Sequence, residues 1–295
     1  SDVFEGRYQQ LGRLDIASKG MFYKTILPLG LFGVALWITR DMFAAFAWMA
    51  LLYWLLLLGM DGLLIPSFAR LTLRTTLRKQ RQLFLACLPI ATNAFLFIYL
   101  NNLSRYVIDA LLDERRMTEY NALFMPSFLV ILLSSFVLRP ALTPLALSSK
   151  AGDASGFRRQ IGHQLAWIVA FTVPTLLLAY VWGAPLLSLL YGIDLTPHRN
   201  ALCLLIAGGA FIAVYYVFQS VLIIRRHQAA CLLGIVLAAL ASHTFTPFAV
   251  RNYGVVGGAA SFFCSALILS LIFITLTAWN VRATAPERSL HHGNA

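Results

Sequence analysis

The chain alternates apolar runs of about twenty residues with short polar and basic segments. A helix of that length crosses roughly 30 Å of hydrocarbon. In lipid the backbone must satisfy its own hydrogen bonds, which favours helices over any open structure. Eight runs fit, at about 21–39, 42–65, 83–104, 120–138, 164–183, 200–223, 229–249 and 254–279. The expected fold is all-α: a polytopic helical membrane protein with eight transmembrane helices. Charge agrees, since 12% of the 295 residues are charged against roughly 25% in soluble domains.

The net charge of +11 belongs to the connecting segments. With the N-terminus inside, 17 of the 23 Lys and Arg residues fall on inner segments or span ends, and 6 fall outside (Arg40, Arg105, Arg115, Arg116, Arg199, Arg251). This bias places both termini in the cytoplasm. It points to membrane lipids as partners and away from nucleic acid. Cys87, Cys203, Cys231 and Cys264 lie inside spans without metal-type spacing and read as packing residues.

Between the spans, a turn is expected at Arg40-Asp41. A basic segment at 66–82 repeats Arg70, Arg74 and Arg78 every four residues with interleaved leucines. It reads either as an amphipathic surface helix or as a solvated connector. Residues 105–119 read as a charged outer segment and 140–163 as a polar loop. Pro174 loosens the fifth span. GAPLLSLLYG (183–192) reads as an interfacial re-entry or helix end, and 280–295 as a polar tail.

Polar residues inside apolar helices are costly and usually face a bundle interior or a wet path. On the third span Asn93, Asn101 and Arg105 are spaced by eight and four, which suggests one face, with Asn102, Tyr106 and Asp109 adjoining. A guanidinium in a wet cavity suits a phosphate. Alternatively, Arg105 pairs with Asp109 one turn on. Asp61 is either a proton relay or a solvated helix end. Lys24 either snorkels to the interface or points into the cavity. His243 either titrates or hydrogen-bonds a neighbouring helix. Tyr215, Tyr216, Gln219 and Ser220 suit a sugar path or ordinary interhelical contacts. Gly254, Gly257, Gly258 and Ser261 suit close helix packing.

No nucleotide-binding glycine loop, zinc-ligand pattern or catalytic triad is found in the sequence. The expectation is therefore no enzyme, no cofactor and no metal, with energy drawn from a gradient or a partner.

Several stretches together resemble the multidrug/oligosaccharidyl-lipid/polysaccharide exporter superfamily, and within it the polysaccharide-transport branch of O-antigen-type flippases. SDVFEGRYQQLGRLD resembles the cytoplasmic segment after that family's fourth span. NNLSRYVIDALL followed by MTEYNALFMPS resembles the start of its second lobe, with Thr118 in place of the glycine of a Gly-x-Tyr entry. GAPLLSLLYG and YGVVGGAASFFCSALI resemble segments after its ninth span and at the start of its last. The resemblance covers nearly the whole chain. It implies that 1–65 ends an N-terminal lobe whose first four spans are missing, that 66–82 links the lobes, and that 83–279 is a six-helix lobe. It also implies alternating-access transport of a polyprenyl-diphosphate-linked oligosaccharide across a bacterial cytoplasmic membrane, with other polysaccharide-assembly membrane proteins as partners. In the scheme that the resemblance implies, cationic groups in the cavity meet the diphosphate, and Arg105 with Asn101 and Asn102 is the matching position. Three other readings stand beside it: a cation-coupled drug or metabolite antiporter of the same superfamily, a membrane-embedded glycosyltransferase or polymerase, and a non-transporting remnant. The short, mixed-charge segment 105–119 argues against the enzyme.

Overall fold

The computed structural model describes residues 14–61, 76–151, 153–225 and 227–283. These form helices: α1 (Leu14–Thr39), α2 (Met42–Leu56), α3 (Leu77–Leu111), α4 (Glu114–Ala151), α5 (Ala154–Leu178), α6 (Ala184–Tyr191), α7 (Arg199–Ile224) and α8 (Gln228–Ala283). Wider π-helical turns follow α2 at Leu57–Asp61 and α5 at Ala179–Gly183, and a 3-10 turn spans Thr196–His198. Seven of the described helical stretches are long and apolar enough to cross a membrane. The protein is a multi-pass helical membrane protein.

The chain divides into two compact units, residues 1–81 and 82–295. In the first, α1 packs on α2, with Phe32 and Phe46 at 4.9 Å between ring centroids. The reversal falls at Arg40-Asp41. Arg40 takes a left-handed φ of 50°, and the Asp41 carboxylate accepts from the Phe43 N–H at 2.9 Å as the cap of α2.

In the second unit α7 is central, packing against α4, α5 and α8. Leu202, Leu205, Ile206, Tyr215 and Leu222 are fully buried on it. A Cβ on Gly208 would meet the Phe262 ring at 2.7 Å, and one on Gly209 would meet the Ser127 carbonyl at 2.8 Å. Small residues thus let α7 approach α8 and α4 closely, as in many membrane bundles. The same logic holds at Gly258, where a Cβ would lie 2.5 Å from Ile108.

Helix α8 is not straight. Gly254 has φ 56° and ψ −131°, so two helices meet there. A Cβ on Gly257 would touch the Ala249 carbonyl, and one on Gly234 would touch Leu276, Ile272 and Phe273. Residues at similar distances on either side of Gly254 are therefore neighbours, and the two halves double back on each other.

Several segments between the expected spans are helical. Helix α3 starts at Leu77, so Arg78, Lys79 and Arg81 lie on its first turns; Arg70 and Arg74 lie outside the described residues. The outer segment shrinks to Leu112-Asp113, because α3 runs to Leu111 and α4 begins at Glu114. Its charges support this locally: the Arg105 guanidinium bonds Asn102 three residues back, and Arg115 bonds Glu119 four residues on. The loop expected at 140–163 is mostly helix, with α4 continuing through Pro140 and Pro144 to Ala151. Asp153 then caps α5 by accepting from the N–H groups of Ser155 (3.1 Å) and Gly156 (2.9 Å). Proline is tolerated in packed membrane helices, where neighbours compensate the lost bond. GAPLLSLLYG becomes the short α6, stopped by Gly192 at φ 67°.

Candidate functional site

An uncharged polar contact in the interior joins α3, α7 and α8. Asn93 is buried, 5% exposed, and its amide is used at both ends. Its Nδ2 donates to the Cys231 carbonyl at 3.1 Å. Its Oδ1 accepts from Gln219 Nε2 at 2.8 Å, with the Tyr215 hydroxyl 3.5 Å away. The Tyr215 ring is held by stacking on Phe97 (5.0 Å, 13°) and by the edge of Phe273 (4.7 Å). An uncharged, hydrogen-bonded cluster avoids the penalty of an orphaned polar group in an apolar interior.

The cluster opens on a cavity of about 360 Å³, within the usual range for small-ligand sites. Asn93, Gln219 and Gln228 supply amides to its wall, Phe97 and Tyr216 supply rings, and Pro89, Ile90 and Ile223 supply apolar surface. Amides beside aromatic faces suit a neutral, hydroxyl-rich ligand: the amides exchange hydrogen bonds and the rings cover apolar C–H surface.

The other polar residues of α3 sit elsewhere. Twelve residues at about 1.5 Å and 100° each put Arg105 ~18 Å along the axis from Asn93 and about a third of a turn around it. The expected single face is therefore a spiral. Arg105 Nη1 donates to Asn102 Oδ1 at 3.0 Å. Its guanidinium lies 4.2 Å from the Phe124 ring centroid on α4, a cation–π contact. Its Nε is buried with no hydrogen-bond partner among the described residues. The alternative pairing with Asp109 is not formed, and Asp109 is exposed. Asn101 and Asn102 each donate to the carbonyl one turn back on their own helix, at 2.9 Å. Tyr106 is 53% exposed, 6.2 Å from the Tyr99 ring. His243 meets α3 through a 2.7 Å hydrogen bond between its Nδ1 and the Tyr99 hydroxyl. Lys24 is buried and is engaged in an interaction. Asp61 ends the π-helical turn, and its side chain lies outside the described residues.

Of the expected site residues, Asn93, Tyr215 and Gln219 come together. Gln228 and the Cys231 carbonyl are not among the expected ones. Gln228 sits in a polar joint that reads as a loop, and a backbone carbonyl has no signature in sequence. Glu119, buried near the start of α4, is equally unexpected. Its carboxylate lies 3.2 Å from Arg115, 3.5 Å from Arg116 and 3.5 Å from His198 Nε2. It ties α4 to the Thr196–His198 turn.

Outside the spans, the carboxyls of Asp153 and Asp194 are held below the ordinary range. For Asp153 the first cause is the Gly156 N–H, with the Ser155 hydroxyl next. For Asp194 it is the Thr196 hydroxyl, with the Thr196 N–H next.

No family model, no curated protein and no solved structure matches this chain.

Proposed function

We propose that this chain forms part of a transporter that moves a lipid-diphosphate-linked oligosaccharide across the bacterial cytoplasmic membrane by alternating access. The supporting observation is the Asn93–Gln219–Tyr215 cluster opening on a cavity of about 360 Å³ with amide and aromatic walls. Its chemistry suits sugar hydroxyls. Arg105 adds the charge that a diphosphate needs. The ~18 Å between Arg105 and Asn93 along the helix suits a long ligand, phosphate at one end and sugar at the other, better than a small solute. The resemblance of the chain to polysaccharide flippases points the same way.

Eight spans fit this reading. Helix α8 has 56 residues, about 84 Å if straight, against roughly 30 Å of hydrocarbon. Folded at Gly254, it is long enough for two spans, which supports the eight-span reading with both ends on one side. The Lys and Arg bias makes that side cytoplasmic.

The test measures which leaflet holds the lipid-linked oligosaccharide in cells depleted of the full-length protein. Accumulation on the inner leaflet, restored by the wild type and not by normally expressed Arg105→Ala or Gln219→Leu, is the expected outcome. Unchanged glycan export in depleted cells would sink the proposal.

A further inference from the structure

A second, partly open pocket of about 10 Å³ lies between α4, α5 and α7, with Leu138, Trp167 and Ile168 on its apolar side. Ser134, Ser135, Gln164 and Tyr216 contribute to its lining. Ser134 and Gln164 are 7% and 6% exposed, and Ser134 Oγ has no hydrogen-bond partner among the described residues. Ser135 is already committed, since its hydroxyl donates to the Leu132 carbonyl at 2.7 Å. An orphaned hydroxyl in an apolar bundle is costly. A space of roughly 10–15 Å³ with two or more polar partners is what one buried water requires. Tyr216 lines this pocket and the large cavity alike. Its ring lies 5.2 Å from Phe97 and 5.5 Å from Tyr215.

We propose that the pocket is a one-water site held by Ser134 and Gln164, and that the Tyr216 side chain is the wall separating it from the cavity. The water satisfies Ser134 Oγ and the Gln164 amide. Removing the wall joins the site to the cavity and opens a polar route into the α4–α5–α7 interface. This holds whatever the cavity carries, so its failure leaves the proposed substrate untouched.

Two measurements on the full chain test it. In a background with Cys87, Cys203, Cys231 and Cys264 replaced by Ala, Ser134→Cys is labelled with a small hydrophilic methanethiosulfonate. Adding Tyr216→Ala should raise the labelling rate at least tenfold. Adding Leu138→Ala, which enlarges the same pocket from α4, should not. Equal rates with and without Tyr216→Ala, or an equal rise with Leu138→Ala, would overturn the wall. Where Ser134→Cys does not fold, Gln164→Cys takes its place. Separately, Ser134→Ala should lower the thermal midpoint, because it removes a partner of the water. A dry pocket gives the opposite sign: deleting an orphaned hydroxyl leaves the midpoint unchanged or raises it, and that result would overturn the water site.

Discussion

Asn93 shows what a single polar residue can specify in an apolar helix. Its amide joins three helices, so its loss is felt by the partners left behind. Asn93→Leu should destabilise the fold by about 1–3 kcal/mol, the cost of unpaired buried groups. Gln219→Leu alone should cost less, since Asn93 keeps its bond to the Cys231 carbonyl. The double variant should fall short of the sum of the two, because the shared bond is lost once. Additive losses in a denaturation series would mean that the 2.8 Å contact carries no coupling. At the membrane edge, Asp153 gives a pH-dependent prediction. Its carboxyl is depressed when folded, so its contribution is present above the unfolded value of about 3.9 and lost as pH falls through the lower folded value. Asp153→Asn should flatten that acid limb in a thermal-midpoint profile; an unchanged limb would assign it to other carboxylates. These residues differ in how far sequence exposes them. Asn93, Tyr215 and Gln219 stand out as polar groups in apolar runs. Glu119 does not, because one of its partners, His198, lies 79 positions away on another element.

At the scale of elements, the apolar runs locate the helices and misplace their ends. Hydropathy reports where lipid contact stops, and a helix continues past that point while its polar residues find local partners. Arg105 with Asn102 and Arg115 with Glu119 are such pairs, so α3 and α4 leave a two-residue connection. The loop expected from residue 140 is helix through Pro140 and Pro144, since proline signals a break more strongly in water than in a membrane helix. Gly254 is the reverse case, a glycine that reads as a packing residue and also makes the turn. With φ 56° and ψ −131° it sits where side chains are strained. A Cβ there would meet nothing within 4 Å. Gly254→Ala should therefore cost about 1–3 kcal/mol through backbone strain alone. Gly257→Ala, whose Cβ would strike the Ala249 carbonyl, should cost more. Unfolding of the purified protein in a denaturing detergent series would rank them. A Gly254→Ala variant as stable as the wild type would remove Gly254 as the determinant of the reversal.

For the whole molecule, one parity argument connects the helices to the membrane. Each span reverses the side of the chain, so the joints should alternate. With α3 starting inside, Asp113 lies outside, Asp153 inside, Asp194 outside, His227 inside and Tyr253, at the α8 reversal, outside. Basic residues flank both sets of joints, Arg158, Arg159 and Arg225 the inner ones and Arg115, Arg116, Arg199 and Arg251 the outer ones, so the inner excess rests on the chain as a whole, including Arg78, Lys79 and Arg81 at the start of α3. The expected outcome in intact cells is that a membrane-impermeant thiol reagent labels Asp113→Cys, Asp194→Cys and Tyr253→Cys in a cysteine-free chain. Asp153→Cys and His227→Cys should become reactive only after the membrane is opened. Labelling at position 253 does not by itself separate two topologies. If α8 crossed once and its second half lay along the outer surface, Tyr253→Cys would still label, but a tag on the C-terminus would also be outside. Protease protection of a C-terminal tag resolves this. A protected tag together with an exposed residue 253 requires the second half of α8 to recross. An accessible tag would cut the count to seven and place the termini on opposite sides, leaving the lobe one helix short of the bundle proposed for transport.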